Sequence, residues 1–472
     1  MTLNSSGPIS LGGSTTGQSI NLELGFSATA LASINSTSFR TLAGVASGQI
    51  SLSNFYGKSN ATYWFATFTP SSMTFLAGHA VNPSNGNIIL VLNTYSGTNK
   101  YSTVYKISPS GSVTSNNSVY SSAGSFMQGQ AGASGPASGP SFALDASCNV
   151  YGTNYLTPGL NKYITNSNTF GFFYNVNTNN LNLTLTDGTY YYTPASRFFG
   201  CCCGCHNSGF IYYACGGTIG SDLFSNYTSL DPAYMAYDGY SSFYISTYQG
   251  IMTKFYRTSS VWEYAMPGTA DTRAVAANAT YMSYISYATY LGISNIASAS
   301  STVKPTVIYA VTISNGSYST SYTTCGVTID SSNNVYFVQQ TPTSGNYGFI
   351  VTKVNSSGTL QWQRKFTTST NIQSITVSSK GSYLYVSWVA TSTATGAQLI
   401  QYPTDGSKTG TYTAGGISVT ISAGTCTYSS SGSNVWGTAY NSGGYSASYS
   451  RVTSYTGGGS TIITSTNSFT TL

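Results

Sequence analysis

The sequence predicts an all-β protein that combines a small N-terminal docking module with a β-propeller of seven or eight blades. β-Branched and aromatic residues are abundant, whereas helix-forming residues seldom recur at helical spacing. Short alternating strands are separated by turn residues, and pairs of hairpins recur about every 40–60 residues. These observations assign residues 1–60 to the module and residues 61–472 to the propeller.

The repeat is clearest in two segments, FALDASCNVYGTNY (142–155) and VTIDSSNNVYFVQQ (327–340). Each consists of an alternating strand, a turn that begins at Asp145 or Asp330, and a second strand that opens with Val-Tyr. An Asp at the first position of a tight turn accepts hydrogen bonds from the following backbone. We therefore expect both aspartates to fix strand reversals.

Looser copies of this turn bring the number of repeat units to eight. A third close copy, at 426–440, has Ser in place of Asp, and the others lie at 80–92, 205–214, 236–246, 276–286 and 376–388.

A second hairpin follows most of these units, as in VYKISPSGSV and VTKVNSSGTLQWQRKF. Two successive hairpins make four antiparallel strands, the composition of a propeller blade. A pair of β-sandwiches is the alternative, but its turns recur without a four-strand period.

Ring closure is predicted from the tryptophans. Trp262 and Trp362 lie in the last strand of their units, and TYWFATFTP (62–70) has the same character around Trp64 without earlier strands of its own. We expect this strand to complete the final blade and so remove exposed sheet edges.

The first sixty residues lack the repeat. QSINLELG alternates apolar and polar residues, which predicts a strand, and GQISLSNFYGKS predicts a second one from Ile50, Leu52 and Phe55. Between them, NSTSFRTLAG predicts one or two helical turns, with Asn35 or Ser36 as the N-cap and Gly44 at the C-terminal end.

The segments ISLGGSTTGQSINLELG, RTLAG and ISLSNFYGKS closely resemble the N-terminal module of virion structural proteins and tail fibres of tailed bacteriophages, especially marine and cyanobacterial ones. The resemblance implies a virion component that docks by residues 1–60, is present in multiple copies and projects its larger part outward. A β cap packed on the protein's own propeller is the alternative. The docking candidates are Ile20, Leu22, Leu24, Arg40, Leu42, Phe55 and Tyr56.

Composition bears on partners and location. The chain has sixteen Lys and Arg and ten Asp and Glu, which gives a net charge of +6. The basic residues are scattered along the sequence, so no nucleic-acid surface is expected. The sequence opens without a basic leader and its apolar runs are short, so we expect no membrane insertion. The expected location is the virion, assembled in the host cytoplasm and released by lysis.

The segment GCCCGCHNSG holds Cys201, Cys202, Cys203, Cys205 and His206. Zinc sites usually need two separated ligand pairs, and adjacent cysteines on a strand point to opposite faces. We therefore expect a core strand rather than a metal site, with a disulfide formed after release as another alternative. No metal or other cofactor is predicted.

Catalysis has little support, because glycan-cleaving enzymes need two facing carboxylates. The pairs Asp231 with Asp238 and Glu263 with Asp271 suit turns and loops better. We therefore expect a non-enzymatic protein.

The 41 tyrosines favour recognition instead, because a Tyr ring offers a flat apolar face and a hydroxyl to a host-surface glycan or protein. The leading expectation is a tail fibre or baseplate-proximal appendage. The alternatives are a head or neck decoration protein and a polysaccharide-acting propeller enzyme. The receptor-surface candidates are Tyr234, Tyr237, Tyr240, Tyr284 and Tyr287.

Overall fold

The structure, a computed structural model, describes the N-terminal segment 3–56, the strands of the propeller and most of their short connections. Outside the described residues lie 1–2, 5, 16, 25, 57–62, 70–72, 83, 97–98, 122–141, 145–147, 155–158, 165–168, 176–184, 187–189, 199–205, 215–222, 226–231, 240–241, 248–249, 257–258, 268–271, 287–289, 314–324, 342–346, 370–371, 391–395, 425, 427, 431–434, 438–443, 446–459 and 462–465. Among the described residues, no helix is long and apolar enough to cross a membrane.

The N-terminal segment is built from short helices rather than from the two predicted strands. Helix α1 (Ile20–Glu23) begins after Ser19, whose hydroxyl accepts a hydrogen bond from the backbone N–H of Leu22. A 3₁₀ helix (Leu52–Phe55) replaces the second strand. Both strand predictions are therefore wrong.

The helical turns predicted between these two segments are confirmed. Helix α2 (Thr37–Ala43) begins after Ser36 and ends at Gly44, which adopts the left-handed conformation with φ of 73°. Left-handed geometry costs glycine little, so this residue is suited to ending the helix.

The rest of the described chain is almost entirely antiparallel β-sheet. After β1 (Trp64–Thr69), blades 1 to 4 comprise β2 (Met73–Val81), β3 (Ile88–Ser96), β4 (Asn99–Ile107), β5 (Val113–Ser121); β6 (Phe142–Leu144), β7 (Val150–Asn154), β8 (Gly159–Ile164), β9 (Thr169–Asn175); β10 (Leu185–Thr186), β11 (Tyr190–Phe198), β12 (His206–Ala214), β13 (Leu223–Ser225); and β14 (Pro232–Tyr237), β15 (Ser242–Thr247), β16 (Ile251–Tyr256), β17 (Ser259–Ala265).

Blades 5 and 6 comprise β18 (Thr272–Ala277), β19 (Tyr281–Ser286), β20 (Tyr290–Asn295), β21 (Thr306–Ile313); and β22 (Cys325–Ile329), β23 (Val335–Thr341), β24 (Gly348–Val354), β25 (Leu360–Thr368). Blade 7 comprises β26 (Ile372–Lys380), β27 (Tyr383–Ala390), β28 (Ala397–Pro403) and, from the start of the chain, β1.

These seven sheets of the described chain form a β-propeller. The first strands of successive blades contact one another in the order β2, β6, β10, β14, β18, β22 and β26, and β26 returns to β2. The all-β propeller prediction is confirmed, with seven blades within the described residues. Hydrophobic clusters fill the spaces between neighbouring sheets, as the burial of twisted blades against each other requires.

The ring closes through β1. Trp64 pairs with Gln401 of β28 on one side, so the strand from the start of the propeller completes the last blade. On its other side β1 pairs with β34 (Thr466–Thr471), where Trp64 lies opposite Thr471. Both ends of the propeller chain therefore contribute to one sheet.

The segment after blade 7 is not an eighth blade. It forms β29 (Gly410–Ala414) and β30 (Ile417–Ala423) on blade 6, β31 (Tyr428–Ser430) on blade 5, β32 (Gly444–Tyr445) on blade 3, β33 (Ser460–Thr461) on blade 1 and β34 on blade 7. It runs around the ring against the blade order and adds outer strands to existing sheets.

The repeated turn is held by hydrogen bonds to its own aspartate. In blade 6 the Asp330 carboxylate accepts hydrogen bonds from the backbone of Ser332 and Asn334 and from the Tyr336 hydroxyl, as the sequence predicts. Asp145 lies outside the described residues. The predicted unit at 205–214 does not hold the first turn of blade 3, because its described residues form β12, the third strand of that blade.

Aromatic side chains in fourth strands pack on glycine turns of the next blade. The indole of Trp64 donates to the Pro109 carbonyl of blade 1, and a Cβ at Gly111 would lie 3.0 Å from that ring. Trp362 of blade 6 makes the same contact with the Thr404 carbonyl and with Gly406. The repeated glycine is therefore required by the close approach of an aromatic ring as well as by its positive φ.

Candidate functional site

The N-terminal segment has a hydrophobic core of its own. The buried residues of this core share no member with the propeller clusters and are Leu3, Ile20, Phe39, Leu42, Ala43 and Phe55. Because Ile20, Leu42 and Phe55 are buried there, they cannot contact a partner while the segment is folded. These three docking candidates are corrected to core residues.

The remaining docking candidates are accessible to differing degrees. Leu22 and Leu24 are half-buried, whereas Tyr56 is exposed and its hydroxyl donates to the Gly7 carbonyl. The Arg40 guanidinium donates to Asn35 Oδ1 and to the carbonyls of Val45 and Gly48, so it holds the loop after α2. Arg40 therefore has a structural role in the segment.

The exposed apolar side chains of this segment include one predicted docking candidate, Tyr56, and four residues that were not docking candidates. Within the described chain, ten large apolar side chains are exposed, and half of them lie between residues 11 and 56. Leu31 has a relative exposure of 104%, which means that its side chain is fully in solvent. We call these five residues the N-terminal apolar surface: Leu11, Phe26, Leu31, Leu52 and Tyr56.

The tyrosine candidates on the propeller are mostly internal. Tyr234 and Tyr284 are buried and belong to the core between blades 4 and 5, so their assignment to a receptor surface is wrong. Tyr237 is half-buried and stacks on Phe243 at 4.7 Å. Tyr240 and Tyr287 lie outside the described residues.

A cavity of about 660 Å³ opens where blades 6, 7 and 1 meet. The turns after the first strands of blades 6 and 7 form two of its sides, and Gly86 and Pro109 of blade 1 form another. Its aromatic lining comes from Tyr383 and Tyr385 at the start of β27. This volume lies within the range of small-molecule sites, about 300–1,000 Å³.

Two lysines in the cavity lining connect the blades. Lys353 of blade 6 donates to the Thr404 carbonyl at 3.0 Å, and Lys380 of blade 7 donates to the Asn82 carbonyl of blade 1 at 2.7 Å. Burial lowers the pKa of both ammonium groups, and Asp330 and Asp405 oppose this shift at Lys353. Each of these two cations is thus bound to a backbone carbonyl from another part of the ring.

Tyr383 is the half-buried tyrosine of the cavity lining. Its ring is half-buried and meets the Tyr63 ring edge-on at 5.8 Å. Burial raises the pKa of the Tyr383 hydroxyl, and the nearby Glu23 carboxylate raises it further. The contact with Tyr63 therefore helps to hold the Tyr383 ring in place beside the cavity.

The sequence candidates for chemistry do not come together in the described residues. The Asp238 carboxylate accepts from the backbone N–H of Ser242, a turn contact, while Asp231 and Asp271 lie outside the described residues. Cys201, Cys202, Cys203 and Cys205 also lie outside them. In the described part of the chain, no group of three His, Cys, Asp or Glu side chains could hold a metal ion.

Comparison with known proteins adds fold-level similarity only. No family model and no curated protein matches the sequence. Among solved structures, the uncomplexed acylaminoacyl peptidase of Pyrococcus horikoshii is 8% identical, with a TM-score of 0.44 over 70% of this chain and 51% of that chain. The match therefore spans about half the length of the peptidase.

Two solved propeller domains are similar to a comparable degree. The β-propeller domain of Myceliophteria thermophila Cps50 (Swd1) is 5% identical, with a TM-score of 0.44 over 72% of this chain and 99% of that chain. The WD40 β-propeller domain of Doa1 is 7% identical, with a TM-score of 0.40 over 71% of this chain and 95% of that chain. The assignment of this chain as a β-propeller protein follows from its own strand pairing.

Proposed function

We propose that the protein is a structural component of a tailed-phage virion, a tail fibre or baseplate-proximal appendage. Its N-terminal segment docks on the particle, and its propeller presents a surface for host recognition. The resemblance of residues 1–60 to phage virion modules suggests this role, and the N-terminal apolar surface is the observation that carries it.

The physical argument concerns where exposed apolar side chains are concentrated. The N-terminal segment is about an eighth of the chain, yet it holds five of the ten large exposed apolar residues in the described part. Large exposed apolar patches on soluble proteins commonly mark interaction sites, and we propose that these five side chains form such a patch. The segment has already buried its own core, so these side chains are available to another protein.

Two carboxylates of the propeller turns suit a structural role. Asp330 and Asp238, two carboxylates of the propeller turns, accept backbone hydrogen bonds that hold strand reversals. A carboxylate committed to its own turn is poorly placed to transfer protons to a substrate. The propeller is therefore proposed to act through binding and shape.

Particle incorporation tests the proposal. A chain lacking residues 1–58 should fold as a propeller but be absent from particles when it replaces the full chain in the phage that encodes it. Leu31→Asp should also reduce incorporation without changing the melting curve, because Leu31 is fully exposed. Val303→Asp is the matched control, since Val303 is an exposed apolar residue of the propeller at 49%.

The result that contradicts the proposal is specific. Truncated chains assembling into particles at normal occupancy would remove the docking role of residues 1–58. Equal incorporation of Leu31→Asp and Val303→Asp variants would remove the role of the N-terminal apolar surface. A position on the head or neck would favour the alternative of a decoration protein.

A further inference from the structure

We propose that the cavity between blades 6, 7 and 1 is a binding site for an uncharged saccharide, with Tyr383 as the platform for a sugar ring. This inference deepens the proposed recognition function, on which its biological meaning rests. It concerns a site that differs from the tyrosine-rich loops predicted by the sequence.

The first argument is the mixture of groups in the lining. Tyr383 and Tyr385 contribute aromatic surface, while Asn334, Ser382 and the two lysines contribute polar groups. A sugar presents an apolar C–H face on its ring and hydroxyl groups around its rim. A flat Tyr ring matches the first feature, and hydroxyl, amide and ammonium groups match the second.

The second argument is rigidity. Tyr385 is buried, and its hydroxyl accepts a hydrogen bond from Gln401 Nε2 at 3.0 Å. Tyr383 is held between the Tyr63 and Tyr385 rings, with centroid distances of 5.8 and 6.2 Å. A platform fixed before binding loses little conformational entropy when a ligand arrives, which favours affinity for a weakly binding polar molecule.

The third argument concerns the charged side chains at the cavity, which favour a neutral ligand over an anionic one. Lys353 and Lys380 lie in the wall, and Lys408 lies 5.9 Å from the centroid of the Tyr63 ring. Asp330, which also lines the cavity, and Asp405 oppose the lowering of the Lys353 pKa that burial causes.

The lining holds two ammonium groups and one carboxylate, and each ammonium already donates to a carbonyl, Lys353 to Thr404 and Lys380 to Asn82. A phosphate or uronate would have to compete with these carbonyl oxygens for the ammonium groups, whereas neutral hydroxyl groups can accept from the remaining N–H donors.

The hydrogen bonds of Asp330 bear on whether the cavity binds or cleaves its ligand. Its Oδ1 accepts from the backbone of Ser332 and Asn334, and its Oδ2 accepts from Asn334 Nδ2 and the Tyr336 hydroxyl. With four hydrogen bonds accepted, this carboxylate serves the turn and not proton transfer. The cavity is consequently assigned to binding without cleavage.

The test uses the purified full-length chain, so it does not depend on particle assembly. Glucose, galactose and N-acetylglucosamine, each as its methyl glycoside, are titrated at millimolar concentrations and followed by ligand-observed saturation-transfer NMR. We expect at least one glycoside to bind saturably, Tyr383→Phe to retain most of the binding, and Tyr383→Ala to weaken it by tenfold or more, about 1.4 kcal/mol.

Tyr256→Ala is the matched control, because Tyr256 is an exposed tyrosine of blade 4, far along the ring from blade 7. Melting curves of all variants establish that each is folded. Absence of binding by every glycoside overturns the inference, and so does binding that survives Tyr383→Ala or is weakened equally by Tyr256→Ala. Stronger binding of methyl glucuronide than of methyl glucoside overturns the choice of an uncharged ligand.

The two proposals fail separately. Loss of glycoside binding in a chain that still enters particles rejects the cavity assignment alone. Saturable glycoside binding by a chain that never enters particles rejects the virion role alone.

Discussion

Truncation of Trp64 to Ala should destabilise the propeller more than any comparable change at its surface. The Trp64 side chain is 2% exposed and packs in the cluster between blades 7 and 1. It also meets Phe469 of β34 edge-on at 5.7 Å. The substitution therefore opens a cavity at the place where both ends of the propeller chain meet.

The expected loss in free energy of unfolding follows from the burial of Trp64. Trp→Ala changes in a core cost about 3–5 kcal/mol. Loss of the indole N–H adds little, because the Pro109 carbonyl still accepts from Gln401 Nε2 at 2.9 Å. At about 2 °C per kcal/mol for a large domain, the melting temperature should fall by about 6–10 °C.

The assay is chemical denaturation followed by fluorescence, with scanning calorimetry as the second measurement. Trp64→Phe keeps an aromatic ring in the cluster, so we expect it to recover more than half of the lost stability. Tyr256→Ala should change the free energy of unfolding by about 0.5 kcal/mol or less. If Trp64→Ala and Tyr256→Ala unfold at the same denaturant concentration, Trp64 does not stabilise the closure.

Three further predictions concern the same ring. His79 is fully buried, its ring nitrogens lie 2.7 and 2.8 Å from the Ser387 and Ser378 hydroxyls, and burial lowers its pKa to about 3. Neutral His79 contributes stability that is fully present above pH 6.5 and is lost as the pH falls toward 3, so the free energy of unfolding should fall by about 2 kcal/mol by pH 5. His79→Gln should flatten the dependence of that free energy on pH in this range. An unchanged slope would show that His79 is not the source of the pH dependence. Gly111→Ala should cost more than Gly239→Ala, because both residues have positive φ but only at Gly111 would the new Cβ meet Trp64; equal losses would contradict the close approach. Deletion of residues 466–472 should speed unfolding in guanidinium and promote aggregation, because it exposes the edge of β1, and an unchanged unfolding rate would contradict a role for β34 in closure.

The propeller could be predicted from sequence because its repeat is local. Asp330 and the glycine turns occupy fixed positions between alternating strands, and the orphan strand at Trp64 has no other sheet to complete. Seven of the eight predicted units fall in successive blades. The eighth, at 426–440, contributes β31 to blade 5 and buries Trp436 between blades 4 and 5. Strands of two or three residues carry too little pattern to distinguish an added edge strand from a new blade.

In the N-terminal segment α2 was predicted correctly, but the helix at Ile20–Glu23 was predicted as a strand for a related reason. Ile20, Leu22 and Leu24 alternate over only five residues, a length at which period two and a single helical turn are not separable. The Ser19 side chain accepts from the Leu22 backbone, and this local hydrogen bond favours the helix. Of the N-terminal apolar surface only Tyr56 was a docking candidate, because the other four residues follow no common spacing and their exposure depends on how the segment packs.

The cavity illustrates what a single sequence cannot supply. Lys353, Lys380 and Tyr383 lie within about thirty positions of one another, but Gly86 and Pro109 come from the other end of the propeller chain. They meet only because the ring closes between blades 7 and 1. No local spacing encodes that juxtaposition.

The central claim is that the chain is mounted on a phage particle by residues 1–56 and carries its propeller outward. Cryo-electron microscopy of intact particles, with this chain traced in the density, tests it most directly. The account predicts that Leu31 and the other residues of the N-terminal apolar surface face a neighbouring virion protein, with the seven-bladed ring projecting beyond them. Density in which the propeller is the part seated on the particle and residues 1–56 face solvent, or particles that lack the chain altogether, would contradict it.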